Sequence, residues 1–204
     1  MAELITPLSL PRYPKHLVNC WRLANGHTIT IRPVRPDDGS LEQDFVRSLS
    51  PKTRYYRFFN AIKELSPSML DRLTHIDYRR QMTLVAVIGD GGSETQIGAA
   101  EYVAEPGAQA CEFAVVIHDA WQHIGLGTLL IESLMRCARA AGYARIEGEV
   151  MADNQPMLNL ARTLGFSVRM SADDARLVRV IKMLLPVDVH SVPLPRAAAV
   201  PCSG

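Results

Sequence analysis

The stretch from Cys111 to Ala141 limits the possible folds of this chain more than any other. Cys111-Glu112-Phe113-Ala114-Val115-Val116-Ile117 reads as an apolar strand, followed by His118–Trp121 and then Gln122-His123-Ile124-Gly125-Leu126-Gly127-Thr128. Leu130, Leu134, Cys137, Ala138 and Ala141 recur at helical spacing directly afterwards. Strand, glycine loop and helix therefore abut. Glycines at 125 and 127 let backbone N–H groups turn toward one point without a Cβ in the way. With the positive end of the helix dipole, such groups form a nest for phosphate oxygens.

Three ligands could use a loop of this kind. A P-loop needs Gly-Lys-Ser/Thr, whereas residues 125–128 read Gly-Leu-Gly-Thr. A dinucleotide fingerprint needs a third glycine where Leu130 stands, in a loop opening the first βαβ unit. The pyrophosphate of a coenzyme A thioester is the third.

The surrounding pattern predicts an α+β fold: a mixed, mostly antiparallel sheet flanked by helices on both faces. Asn25-Gly26 is a hairpin signal between Trp21–Leu23 and Thr28–Ile31, favoured because both residues tolerate positive φ. Leu41, Phe45, Val46 and Leu49 mark a helix. Ser50-Pro51 and Ser66-Pro67 each read as an N-cap with proline at the first helical position, opening short helices over about 51–60 and 67–75. Strands over 83–88, 96–105 and 110–117 follow as an antiparallel meander, with Gly89–Gly92 and Pro106-Gly107 as turns. Helix 125–141, strand 145–150, helix 155–164 and strands 167–170 and 178–184 complete the domain. Pro7, Pro11 and Pro14 mark residues 1–18 as a tail or an arm over the domain. Residues 19–185 are the folded unit, and 186–204, with four more prolines, a flexible C-terminal tail.

Composition excludes several classes. A net charge of +1 supplies no field for nucleic acid or an anionic membrane, and the arginines at 54, 57, 79 and 80 read as solvated faces. No run of about 20 apolar residues suggests a membrane span, and residues 1–14 lack a signal-peptide pattern, so the expected location is cytoplasmic. The cysteines at 20, 111, 137 and 202 have no CxxC spacing, and no metal site is expected. An exposed strand edge leaves homodimerisation open.

Gln122-x-x-Gly125-x-Gly127 after an apolar strand resembles the signature of the GNAT superfamily of acyl-CoA-dependent N-acyltransferases, as do Asn154 and Leu164-Gly165-Phe166. A narrower resemblance, to the catalytic domain of bacterial Pat-type protein lysine acetyltransferases, lies in Arg32-Pro33, Asp37-Asp38, Ser50-Pro51, Arg54–Phe59 and Glu112–Val116.

This likeness implies an acetyl-CoA-dependent N-acetyltransferase acting on a primary amine, with a protein lysine as acceptor and no metal. A small amine, such as a polyamine, amino acid or antibiotic, is the alternative acceptor, and a non-catalytic acyl-CoA sensor a third reading. In the family the strand equivalent to 113–117 splays from its neighbour and receives the pantetheine arm. Val115, Val116 and Ile117 are then expected against that arm. Gln122, His123, Ile124, Gly125, Leu126, Gly127 and Thr128 are expected around the pyrophosphate, and Asn154 beside the pantetheine or as an N-cap.

Glu112 is the expected general base, since an alkyl ammonium with pKa about 10.4 must lose a proton before attacking a thioester. Glu101 is the reserve. Many superfamily members place a tyrosine acid seven residues after the asparagine; Ala161 stands there, so the acid is unassigned, with Tyr55, Tyr56 and Tyr143 as possible donors.

Overall fold

The structure, a computed structural model, describes residues 11–89, 94–171, 174–184 and 198–200. Among these residues nine strands form one sheet in the order β7-β8-β6-β5-β4-β3-β2-β1-β9. They are β1 (Asn19–Arg22), β2 (Thr28–Pro33), β3 (Gln81–Ile88), β4 (Thr95–Val103), β5 (Ala110–Ile117), β6 (Arg145–Met151), β7 (Ser167–Met170), β8 (Leu177–Met183) and β9 (Ala198–Val200). The helices are α1 (Gly39–Ser48), α2 (Pro51–Phe58), α3 (Pro67–Thr74), α4 (Leu126–Ala140) and α5 (Gln155–Thr163). Only the β5–β6 pair is parallel among the described residues.

Strand alternation divides the layers. On β4, Ala100 and Tyr102 enter the main core with Leu130, Leu134 and Ala138 of α4. Ala99 instead joins Phe45, Val46, Leu65 and Val116 beneath α1 and α3 on the other face. A register shift between Ala86 and Val87 marks a bulge in β4, and Ile97 there joins the α4 side. Alternation resumes beyond it, so Gln96 points toward α1.

The two serine caps form as expected: Ser50 Oγ accepts from the Thr53 N–H at 3.2 Å and Ser66 Oγ from the Met69 N–H at 3.3 Å. The hairpin turn differs from the expectation. Gly26 N–H donates to the Leu23 carbonyl and Gly26 has φ 84°, while Asn25 keeps negative φ. The loop is therefore one residue longer than an Asn-Gly two-residue turn, and only the glycine needs the left-handed conformation.

Arg54 and Arg57 are not solvated faces. The Arg54 guanidinium donates to the carbonyls of Val46, Arg47 and Leu49 and so satisfies the open end of α1, and Arg57 turns inward, as described below. Arg79 and Arg80 are exposed. Arg32 is fully buried and makes a two-pronged pair with Asp38 at 2.6 and 2.8 Å and a second pair with Glu94 at 2.6 Å. That network ties β2 to the start of α1 and β4.

At the N-terminus, the Tyr13 hydroxyl donates to the Pro33 carbonyl and its ring meets Tyr78 edge-on. In the segment read as a C-terminal tail, Ala198–Val200 pairs antiparallel with β1. Residues 90–92 of the expected glycine turn lie outside the described residues.

Candidate active site

β5 and β6 pair only from Ala110↔Arg145 to Glu112↔Glu147. Beyond that point β5 keeps its register with β4 as far as Ile117, but has no partner on its β6 side. His118 N–H donates to the Ile97 carbonyl across β4. Alternation then directs the N–H and C=O groups of Phe113, Val115 and Ile117 to that side; the Phe113 N–H is used in the Glu112↔Glu147 pairing and the Ile117 carbonyl by Gln122, which leaves the Phe113 carbonyl, both Val115 groups and the Ile117 N–H open. Gly148 sits where the strands part, and a Cβ there would lie 2.7 Å from the Phe113 carbonyl oxygen. Such a row of open backbone groups accepts an extended, amide-bearing ligand as an added strand would.

The loop after β5 lies at one end of this gap. Gln122 Nε2 donates to the Ile117 carbonyl at 3.1 Å, which folds the loop back over the strand end. His123 has φ 64° and Gly125 φ 90°, two left-handed residues just before α4. No side chain caps that helix, so its first N–H groups stay open toward the loop. A Cβ at Gly125 would meet nothing within 4 Å; its positive φ is what requires glycine there. Gly127 serves a different purpose from the one expected. Its φ is ordinary, and a Cβ would come 3.0 Å from Leu160 Cδ2, so its smallness lets α4 approach α5.

Gap and loop open into one cleft of about 1320 Å³. Of the expected residues, Glu112, Val115, Val116, Ile117, Gln122, His123, Gly125, Gly127, Thr128 and Asn154 line it. Ile124 and Leu126 do not: Leu126 is buried in the main core and Ile124 packs against it, leaving only their backbone to face the loop. Asn154 caps α5, accepting from the Met157 N–H at 3.3 Å, and also faces the cleft.

Glu112 is exposed on the cleft wall, because its strand neighbours Cys111 and Phe113 take the core side. It makes no ion pair among the described residues. Ala161 is fully buried in the core. Of the three tyrosines considered as proton donors, Tyr56 alone lines the cleft. Tyr143 is instead packed edge-on against Tyr102.

The cleft wall also holds an ion pair. Arg57 of α2 donates to Glu101 Oε1, and the two side chains are only 16% and 15% exposed. Behind them lies Glu42 of α1, 4% exposed. Burial pushes its carboxyl up to about 7; Gln96 beside it and Arg57 favour the anion, while Glu101 and Asp38 oppose it. Glu42 Oε1, Thr83 Oγ1 and both polar atoms of the Gln96 amide are buried without a hydrogen-bond partner. The sequence held a signal for Glu42: it falls in helical phase with Phe45, Val46 and Leu49, on the apolar stripe of α1.

Comparison with known proteins agrees with this geometry. Residues 50–166 match the family model described as "Acetyltransferase (GNAT) family". An acetyltransferase of Pseudomonas aeruginosa is 37% identical over 153 residues, covering 75% of this chain and 82% of that protein. Acetyltransferase Pat of Mycolicibacterium smegmatis is 26% identical over 166 residues, covering 81% of this chain but only 46% of its own length. The GNAT domain of Streptomyces lividans PAT superposes with a TM-score of 0.78 at 28% identity, covering 85% of this chain and all of that one. At 20% identity the fold alone is shared with yncA of Salmonella typhimurium, solved with its cofactor acetyl-CoA (TM-score 0.59; 81% of this chain, 97% of that one). No helix among the described residues is long and apolar enough to cross a membrane. A split between two parallel strands, a left-handed loop at a helix start and these matches lead to one conclusion: the chain is an acetyltransferase and belongs to the GNAT family.

Proposed function

We propose that this protein transfers an acetyl group from acetyl-CoA to the side chain of a protein lysine, with Glu112 as general base. The observation that carries the reading is the position of Glu112, at the last paired residue before β5 and β6 part. A thioester carried on an arm bound along Phe113, Val115 and Ile117 would end close to that carboxylate.

In this scheme the backbone around His123–Thr128 holds the diphosphate and the open strand groups hold the pantetheine amides. Glu112 takes the proton from the ammonium, and the free amine attacks the thioester carbonyl. The C–N bond forms as the C–S bond breaks, the thiolate leaves, and the nitrogen gives up its second proton to that thiolate or to solvent. With a thiol pKa about 8.5 the leaving group needs little help near neutral pH. Tyr56 is the candidate donor if it is protonated on departure.

One feature favours a protein acceptor. Tyr56, Arg57, Phe58 and Phe59, from the Arg54–Phe59 segment that resembles Pat-type enzymes, line the cleft, as does Glu101; we take this part of it, the acceptor limb, to receive the acceptor. The cleft lining carries Glu101, Glu105, Glu112, Asp119, Glu147 and Glu149 against Lys52, Arg57, Arg72 and Arg145, a negative balance that suits a cationic amine of either class. Acetyl-CoA turnover on lysine peptides and protein extracts, with acetylated sites mapped by mass spectrometry, tests this directly. Thiol release with small amines and none with any lysine substrate would overturn the protein-acceptor reading.

A further inference from the structure

We propose that Glu42 is a positioning residue for the acceptor limb: from a small chamber behind the cleft wall, its carboxyl governs how firmly Arg57 holds Glu101. The inference rests on the acyl-transfer reading of the cleft and adds a control element to it.

The chamber has a volume of about 20 Å³ and is lined by Glu42, Thr83, Arg57 and Glu101. Arg57 and Glu101 also line the cleft, as do Phe58, Ala114 and Val116, so the Arg57–Glu101 ion pair is part of the wall that the two spaces share. The chamber is large enough for one water, which would partner Glu42 and Thr83. A buried carboxyl with an unsatisfied oxygen, set behind a guanidinium already bound to another carboxylate, is poorly explained as packing alone.

The groups facing Glu42 can be named from each element. Arg57 comes from α2, Glu101 and Gln96 from β4, and Thr83 from β3. Asp38, at the start of its own helix, is committed to Arg32. From α3 and β5 only Leu73, Ala114 and Val116 reach the chamber. Among the described residues Arg57 is therefore the one cation at the chamber that responds to Glu42. When Glu42 is neutral, Arg57 has a single anionic partner and fixes Glu101 in the acceptor limb. When Glu42 ionises, two carboxylates share one guanidinium, and Glu101 loses its fixed geometry.

The test follows the Arg57 Nε–Hε resonance of the full chain by NMR from pH 5.5 to 8.5, in wild type and Glu42→Gln. The wild-type signal is expected to move with one midpoint near neutrality, and the variant signal to stay still. In parallel, the KM for a single-lysine peptide should rise on the order of five-fold over that range in wild type only, with kcat following the same pH profile in both. A wild-type resonance that does not titrate, or one that titrates equally in Glu42→Gln, overturns the proposal; the wild-type titration alone decides if the variant does not fold. Calorimetry with acetyl-CoA on the same samples separates the two levels. Absent binding overturns the acyl-transfer reading, whereas intact binding with a pH-invariant Arg57 overturns only the role of Glu42.

Discussion

Asp119 holds the start of α2 through Ser50: its carboxylate accepts from the Ser50 N–H at 2.9 Å and the Ser50 hydroxyl at 2.7 Å, and also from the Thr53 hydroxyl at 2.7 Å. These bonds hold its carboxyl below the usual range despite partial burial. The contact joins the loop between β5 and α4 to the helix that carries Tyr56 and Arg57. Asp119→Ala should cost about 1 kcal/mol, or a fall in Tm of about 2–4 °C. It should also raise the KM of both substrates, since each limb of the cleft loses its brace. Thermal unfolding and steady-state kinetics check both effects. A change confined to stability would mean that the two limbs are independent.

Glu112→Gln keeps the shape of the wall and removes the base. The kcat for a lysine peptide should fall by about 10² to 10⁴ at pH 7. Binding of acetyl-CoA by calorimetry should be unchanged, because the proposed contacts to the arm are main-chain groups. Undiminished turnover would transfer the role elsewhere, to Glu101 or to Glu147, the cross-strand partner of Glu112, both of which line the same cleft.

Two glycines separate loop geometry from strand separation. Gly125→Ala meets no atom but forces a left-handed alanine, at about 1–2 kcal/mol. It should leave the fold intact and weaken acetyl-CoA binding by roughly tenfold. Gly148→Ala instead collides with the Phe113 carbonyl where β5 and β6 part, so it should lower stability as well as binding. Calorimetry beside urea unfolding distinguishes the two patterns.

Asp38→Asn tests the most deeply buried charge pair. It leaves the Arg32 guanidinium, fully enclosed and held above its usual pKa by Asp38 and Glu94, short of one anionic partner. Breaking a buried pair on one side costs about 3–5 kcal/mol. Chemical denaturation should show that loss, with acetyl-CoA affinity of the folded fraction preserved.

Local signals in the sequence carried most of the architecture. Ser-Pro caps, period-two strands and the Gly125 turn depend on near neighbours, and each lies where its residues demand. What the sequence could not reveal depended on long-range meeting. Arg57 read as solvated because its partner Glu101 lies 44 positions away. Gly127 read as part of the nest because Leu160, which it accommodates, comes from another helix. The exposure of Glu112 is set by which face of β5 meets the core, a choice that alternation leaves open until the sheet is assembled. Glu42 was the exception, visible as a charge on an apolar stripe but without its chamber.

That chamber makes the fold itself sensitive to pH. In the unfolded chain the Glu42 carboxyl ionises near 4.5, and in the native protein near 7. Between those values the native state keeps a proton that the unfolded chain has released. The native-state advantage is thus complete below 4.5 and declines as pH rises, until Glu42 is ionised in both states above about 7. The gap corresponds to at most about 3 kcal/mol. Glu42→Gln has nothing to titrate at this position, so in urea unfolding it should lose less stability between pH 5 and pH 8.5 than wild type does. At the higher pH it should match or exceed wild type, because an amide in the chamber avoids burying a second carboxylate beside Glu101. A variant less stable than wild type at pH 8.5 would mean that the ionised carboxylate finds a better partner in Arg57 than this geometry allows.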